Sequence, residues 1–176
     1  RYGASLGSRA LEMTDYYDVL VTHAFGNYRD LLESVTLHAA MGDYLSMMAN
    51  QKADPSRNRY PDENYAREVM QLFSIGLYLL NSDGTAKLDS EGQPISTYSQ
   101  DDIENLARVF TGWHLAEKTQ SGWGSKEGNW FVPMVSYEER HDDEEKIVMG
   151  EVFVQGQSAE EDMAQAMDIL FNHPNT

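Results

Sequence analysis

No cysteine occurs among the 176 residues. That excludes disulfides, thiolate metal sites and a cysteine nucleophile, and it leaves the compartment open. Nothing approaches the run of about 18 apolar residues that a membrane-spanning helix needs. The longest apolar stretches, such as residues 76–80, are short. Positive charge is scarce too: 13 Lys and Arg face 29 Asp and Glu, a net charge of −16. Such a surface repels phosphate backbones, so a nucleic-acid partner is not expected. It suits solubility or cation binding. There is no internal repeat and no low-complexity tract. The chain opens at Arg1 without a methionine or signal peptide and stops at Thr176 just after a helix signal. It is therefore expected to be an internal piece of a longer protein, with any targeting segment outside it.

What is present is helical periodicity. Six segments, at about 9–25, 27–36, 37–50, 61–76, 99–113 and 158–172, carry apolar residues at i, i+3 and i+4 spacing. Asn27 is a candidate N-cap for the second. Pro61, Asp62 and Glu63 suit the first turn of the fourth, where negative charge meets the positive end of the helix dipole. Ser99 with Asp102 and Ser158 with Glu161 read as capping boxes for the last two, and Pro174 ends the sixth. Residues 77–98 hold Asp83-Gly84 and Glu91-Gly92, two turn formers between extended stretches. Residues 119–129 read as a glycine-rich loop. Trp130–Val135 and Ile147–Val154 read as short strands separated by the acidic run Asp142–Glu145. The fold class expected is mainly α: one helical domain over residues 1–176 with a small antiparallel β-hairpin or meander accessory, β-rich at 77–98 and 130–154.

Several local patterns invite chemistry. Gly3-Ala4-Ser5-Leu6-Gly7 matches the nucleophile elbow of serine hydrolases, but that motif needs a preceding strand and an alternating α/β chain after it. Neither is visible, so a chance match is preferred. A calcium loop built on Gly84 would begin at Leu79 and end at Ser90, and one built on Gly92 would begin at Lys87. None of these can ligate as an EF-hand requires. A hairpin turn is the better reading, with an irregular calcium site on Asp83 and Asp89 as the alternative. Gly122, Gly124 and Gly128 miss the dinucleotide fingerprint by one residue and lack its βαβ context, so no nucleotide cofactor is expected.

None of the five histidines, His23, His38, His114, His141 and His173, is paired at metal-ligand spacing. A divalent metal would have to be assembled from distant segments. His141 stands out because it opens His-Asp-Asp-Glu-Glu-Lys, and a histidine beside carboxylates can titrate near neutrality. The fourth helix carries the clearest polar stripe, with Asn64, Glu68 and Gln71 at i, i+4, i+7 and Glu63 placed to pair with Arg67. This can be a solvated face, a buried network toward the fifth helix, or a cleft in which Glu68 works as acid, base or ligand and Arg67 orients an anion.

The run from Tyr60 to Gly76, then Tyr98-Ser99-Gln100-Asp101-Asp102-Ile103 leading into Ala107-Arg108-Val109-Phe110-Thr111-Gly112-Trp113, then His141-Asp142, Lys146 and Gly150, resembles a large bacterial family, domain of unknown function 1800. Upstream, Tyr28–Glu33, Thr36-Leu37-His38 and Met41-Gly42 fit as well. Asp62 stands where Asn is common in that family. The resemblance implies motif positions at Asn64, Arg67, Glu68, Thr111, Trp113, His141 and Lys146. It implies a longer, exported protein of the cell envelope or outside, encoded near relatives of sulfatases and alkaline phosphatases. It implies no established reaction.

Two functions compete. One is a non-catalytic envelope or extracellular module that binds a protein or polysaccharide partner, with Trp113, Trp123 and Trp130 available to stack on sugars. The other is an exported hydrolase, metal-assisted or metal-free, using Glu68, His141 and Arg67 as catalytic residues, with Asn64, Thr111, Trp113 and Lys146 in binding roles. The second requires the α-helical stripe, the Thr-Gly-Trp segment and the His141 loop to converge on one cleft.

Overall fold

The first helix lies on the core with a half-buried face, where Tyr16 and Leu20 pack. The computed structural model describes residues 9–118 and 122–176. Within them α1 (Ala10–Thr22) buries no residue, and Leu11, Tyr17 and Val21 stay exposed, as does Phe25 just beyond its end. Its attachments include Arg9 over the face of Trp130 at 3.6 Å, an Asp15–His38 contact at 3.1 Å and an edge-on Tyr16–His38 pair. It ends at Thr22, short of the expected Phe25, where His23 leaves helical geometry.

Helix α2 (Tyr28–Leu37) starts where Asn27 accepts a hydrogen bond from the Arg29 amide at 2.8 Å, the cap its sequence predicts. It buries Leu32, Val35 and Thr36. His38 then turns the chain and caps α3 (Ala39–Tyr44), its Nδ1 accepting from the Ala40 amide. The helix expected to reach residue 50 stops here. Ser46 and Ala49 sit at φ 63° and 65°, in the left-handed region that breaks a right-handed helix. The apolar residues beyond, Met47 and Met48, are buried all the same. The turn that carries them is pinned by Met48 N–H to Gly42 O and Ala49 N–H to Trp113 O. Helical spacing was thus met by a packed turn.

Helix α4 (Asn64–Gln71) is shorter than the expected 61–76. Asp62 accepts from the Asn64 amide at its start. It buries Tyr65, Ala66, Val69 and Met70. Residues 77–98 form the expected meander from isolated antiparallel bridges, Tyr78 with Ser96, Leu80 with Ala86 and Leu88 with Pro94. Asp83 accepts from Thr85 and Asp89 from the Glu91 and Gln93 amides, so both carboxylates are used inside their turns. Helix α5 (Gln100–Val109) opens with the Ser99–Asp102 capping box and ends before the expected residue 113.

Strand β1 (Trp113–His114) pairs antiparallel with β2 (Val135–Ser136), and β3 (Lys146–Val148) pairs antiparallel with β4 (Glu151–Phe153). Strand β2 begins only at the last residue of the strand expected at 130–135, and Trp130 and Met134 are buried in the core instead. Helix α6 (Ala159–Asn172) carries the second capping box, Ser158 with Glu161. The described residues form six α-helices and two small two-stranded antiparallel sheets, so helix outweighs strand without making up most of the chain.

Packing centres on α5, which contacts α4, α6 and β3, and on α2, which contacts α1, α3 and α6. Buried residues of α2 through α6 and both sheets merge into one apolar cluster rich in methionine. Each fully buried Leu or Met in it contributes about 1.5–3 kcal/mol. The serine motif at residues 3–7 lies outside the described residues.

A buried histidine, lysine and aspartate cluster as the candidate functional site

The chain leaves α5 through Thr111 and Gly112 into β1, and the His141 segment runs directly against that exit. Gly112 adopts φ +88°, and a Cβ there would lie 3.0 Å from both the backbone nitrogen and the Cβ of His141. Glycine is required by the close approach as much as by the dihedral. Thr111, fully buried, donates its hydroxyl to Arg108 O at 2.6 Å and accepts from the Asp142 amide at 2.8 Å. One threonine thereby ties the end of α5 to the His141 segment.

His141 is completely buried. Its Nδ1 lies 3.0 Å from the Thr111 carbonyl and its Nε2 lies 3.1 Å from Asp162 Oδ2. A carbonyl can only accept, so Nδ1 carries a proton. Nε2 then faces a carboxylate oxygen, and two lone pairs would meet unless a further proton lies between them. The pair is therefore imidazolium with carboxylate, or imidazole with carboxylic acid. Lys146, at the start of β3 and also fully buried, reaches the same Asp162 Oδ2 at 2.8 Å. Its Nζ also donates to the carbonyls of Asp142 at 2.6 Å and Glu144 at 2.9 Å. Asp162 Oδ1 is sealed from solvent and has no hydrogen-bond partner among the described residues.

Arg108, near the end of α5, closes the outer side. Its Nε and Nη2 each donate to one oxygen of Asp142 at 3.0 Å, and its Nη1 donates to Asn105 at 2.8 Å. Burial pushes the Asp142 carboxyl up, but the Arg108 hydrogen bonds and charge outweigh it and hold the group below its ordinary value. The Asp142 hydrogen bonds raise Arg108 against the opposing effect of burial.

The expected site residues divide between places. Thr111, His141 and Lys146 meet in the cluster just described. Asn64, Arg67 and Glu68 lie on α4. Arg67 pairs with Glu63 at 2.9 Å and reaches Gln100 at 3.4 Å, and Gln100 returns to Glu63 at 3.0 Å. Glu68 is half-buried, and its carboxylate has no hydrogen-bond partner among the described residues. Tyr98 stands near Arg67 and Glu68 with its hydroxyl buried and, among the described residues, unpartnered. Burial pushes that hydroxyl up, Arg67 opposes and Glu68 adds to the rise. No hydrogen bond or ion pair joins the two groups among the described residues.

The third expected location, Trp113, is 3% exposed in β1, and Trp130 is 6% exposed. Neither presents a face for a sugar. Trp123 is half-buried, edge-on to His114 and Tyr137, with its indole N–H donated to Ala49 O. The sequence sets His141 beside the carboxylates that follow it; in the fold it is sealed and bonds an aspartate 21 residues downstream. Asp162 itself escaped sequence reasoning because it sits in an acidic first helical turn beside Glu160 and Glu161. A signal existed: Ala159, Asp162, Met163 and Ala166 share one i, i+3, i+4, i+7 stripe, which puts the aspartate on the buried face.

The family model described as "Protein of unknown function (DUF1800)" matches residues 2–176. The chain belongs to the DUF1800 family. No curated protein and no solved structure matches it. In this DUF1800 chain the described residues contain no group of three or more His, Asp or Glu arranged to hold a metal ion. None of its described helices is long and apolar enough to cross a membrane. What the cluster can do chemically follows from its sealing. It holds an ion pair and its hydrogen bonds inside the fold, tying the end of α5, the His141 segment, β3 and α6 together.

Proposed function

We propose that this segment is a non-catalytic structural or binding module of an exported bacterial envelope protein, with a protein or polysaccharide partner. The observation that carries the reading is the complete burial of His141, Lys146 and Asp162. A general acid or base must come within hydrogen-bond reach of its substrate, about 2.6–3.2 Å. A side chain with no accessible surface, whose hydrogens are already taken by protein acceptors, is placed to hold structure. Export rests on the family resemblance, and the acidic surface is compatible with it. His141→Ala and Glu68→Ala test the assignment. The reading expects His141→Ala to lower the melting temperature strongly, and Glu68→Ala to leave both fold and partner binding close to normal.

One observation favours the hydrolase reading. Among the described residues Glu68 is a partly exposed carboxylate with no hydrogen-bond partner, next to the Tyr98 hydroxyl, also unpartnered there, and to Arg67. In that reading the catalytic carboxylate acts from α4 without His141. A Glu68→Gln variant that folds normally but loses turnover of a generic phosphate or sulfate ester would establish the enzyme and overturn the non-catalytic proposal.

A further inference from the structure

We propose that Lys146 and Asp162 form an intramolecular isopeptide bond, with His141 as the proton carrier. The inference uses the same buried cluster but goes beyond its structural role, since it assigns a covalent modification to the chain. Three features of the geometry carry it. Lys146 Nζ is 2.8 Å from Asp162 Oδ2, and both side chains have no exposed surface. Two of the three hydrogens of Nζ are claimed by fixed carbonyls, Asp142 O and Glu144 O, leaving the remaining corner of the nitrogen aimed at the carboxyl group. Asp162 Oδ1 is buried without a donor among the described residues, so one oxygen of the buried anion goes uncompensated there.

The proposed step begins with a proton passing from the ammonium to the carboxylate across that 2.8 Å contact. Once Nζ is a neutral amine, its lone pair occupies the corner that faces Asp162, while its two N–H groups remain on the carbonyls. The amine then attacks Asp162 Cγ. A C–N bond forms, the Cγ–Oδ2 bond breaks, and its electron pair leaves with Oδ2. The leaving oxygen needs two protons. The first came from Lys146 directly. The second comes from His141 Nε2, which lies 3.1 Å from that oxygen, and His141 recovers it from the amine nitrogen. The products are one amide and one water, with no oxidant or co-reactant and no change in net charge. The remaining amide N–H keeps one of the two carbonyls, and the opposed buried charges disappear. The bond ties β3 to α6 in a chain that has no cysteine with which to make another cross-link.

The test is the intact mass of the purified full-length protein under denaturing conditions, followed by peptide mapping. The expected mass is lower than the sequence mass by one water. Trypsin is expected to fail after Lys146, and the water loss is expected to map to residues 141–176. Lys146→Arg and Asp162→Ala are expected to restore the full mass. His141→Ala is expected to leave the pair unjoined, and a fully joined His141→Ala protein would overturn the assigned proton route. A wild-type protein at its full sequence mass overturns the proposal without any variant being needed. So does a water loss that maps to Asp83-Gly84, where a succinimide has the same mass. Full mass together with strong destabilisation by Lys146→Arg would remove the bond and leave the structural reading of the cluster standing.

Discussion

Replacing Lys146 by methionine tests whether the buried cluster holds the fold. Methionine keeps most of the volume of the lysine stem, so little cavity is created and the loss reports the removed ammonium. Lys146 meets three acceptors, one carboxylate oxygen and two carbonyls, with no exposed surface. Removing one partner of a buried ion pair costs about 3–5 kcal/mol, since the other charge stays buried without compensation. His141 still bonds Asp162, which limits the damage, while Asp142 O and Glu144 O are left short of a donor at about 1–3 kcal/mol for each one that finds no water. A loss of about 4 kcal/mol is therefore expected, a large share of the roughly 5–15 kcal/mol that holds a typical domain together. Urea unfolding followed by fluorescence of the buried Trp113 and Trp130 measures it. The midpoint should fall while the slope stays unchanged. The double replacement Lys146→Met with Asp162→Leu should recover part of the loss, because no unpaired charge remains. A cost below about 1 kcal/mol, the range of an exposed ion pair, would refute the reasoning.

Gly112→Ala combines a φ of +88° with a Cβ 3.0 Å from the His141 backbone. It should cost more than the roughly 1 kcal/mol of an unhindered glycine replacement, read from the same urea midpoint. Glu68→Ala should change stability by no more than about 0.5 kcal/mol, since its side chain has no hydrogen bond to lose. Asp142 is held below its ordinary value in the folded state. Its stabilisation is therefore complete above the unfolded carboxylate value of about 3.9 and fades as pH falls below it. Asp142→Asn should be less stable than the native protein at neutral pH, and the gap should close on acidification. A gap that is constant or widening with acid would contradict the assignment. Ser158→Ala removes the cap of α6 and should cost about 1 kcal/mol in thermal unfolding.

The helices were legible wherever a local interaction decides them. Asn27, Ser99 with Asp102 and Ser158 with Glu161 cap as their spacing predicts, because a cap involves only residues two or three apart. The turns at Asp83-Gly84 and Glu91-Gly92 were legible for the same reason. Family membership was legible too, carried by the motifs around α4 and the Thr-Gly-Trp segment. The ends of α3 and α5 were not. Met48 satisfies helical spacing yet is buried by a left-handed turn bonded to Trp113 O, a partner more than sixty residues away.

The candidate site divides along the same line. The unusual residue types were visible in the chain: a histidine and a lysine flanking an acidic run, and a polar stripe at Asn64, Arg67 and Glu68. Only tertiary structure decides which of them meet. Asp162 supplies the counter-charge for both His141 and Lys146 from a different helix, and no hydrogen bond or ion pair joins that cluster to Glu68 among the described residues. Three tryptophans could be counted in the sequence, but their exposure depends on what packs over them, and two are buried. Capping and turn chemistry act over one or two turns of chain, so the sequence by itself determined where most helices and turns begin. Burial and charge pairing act between segments far apart in sequence, so they alone decided that His141 and Lys146 face Asp162 inside the core.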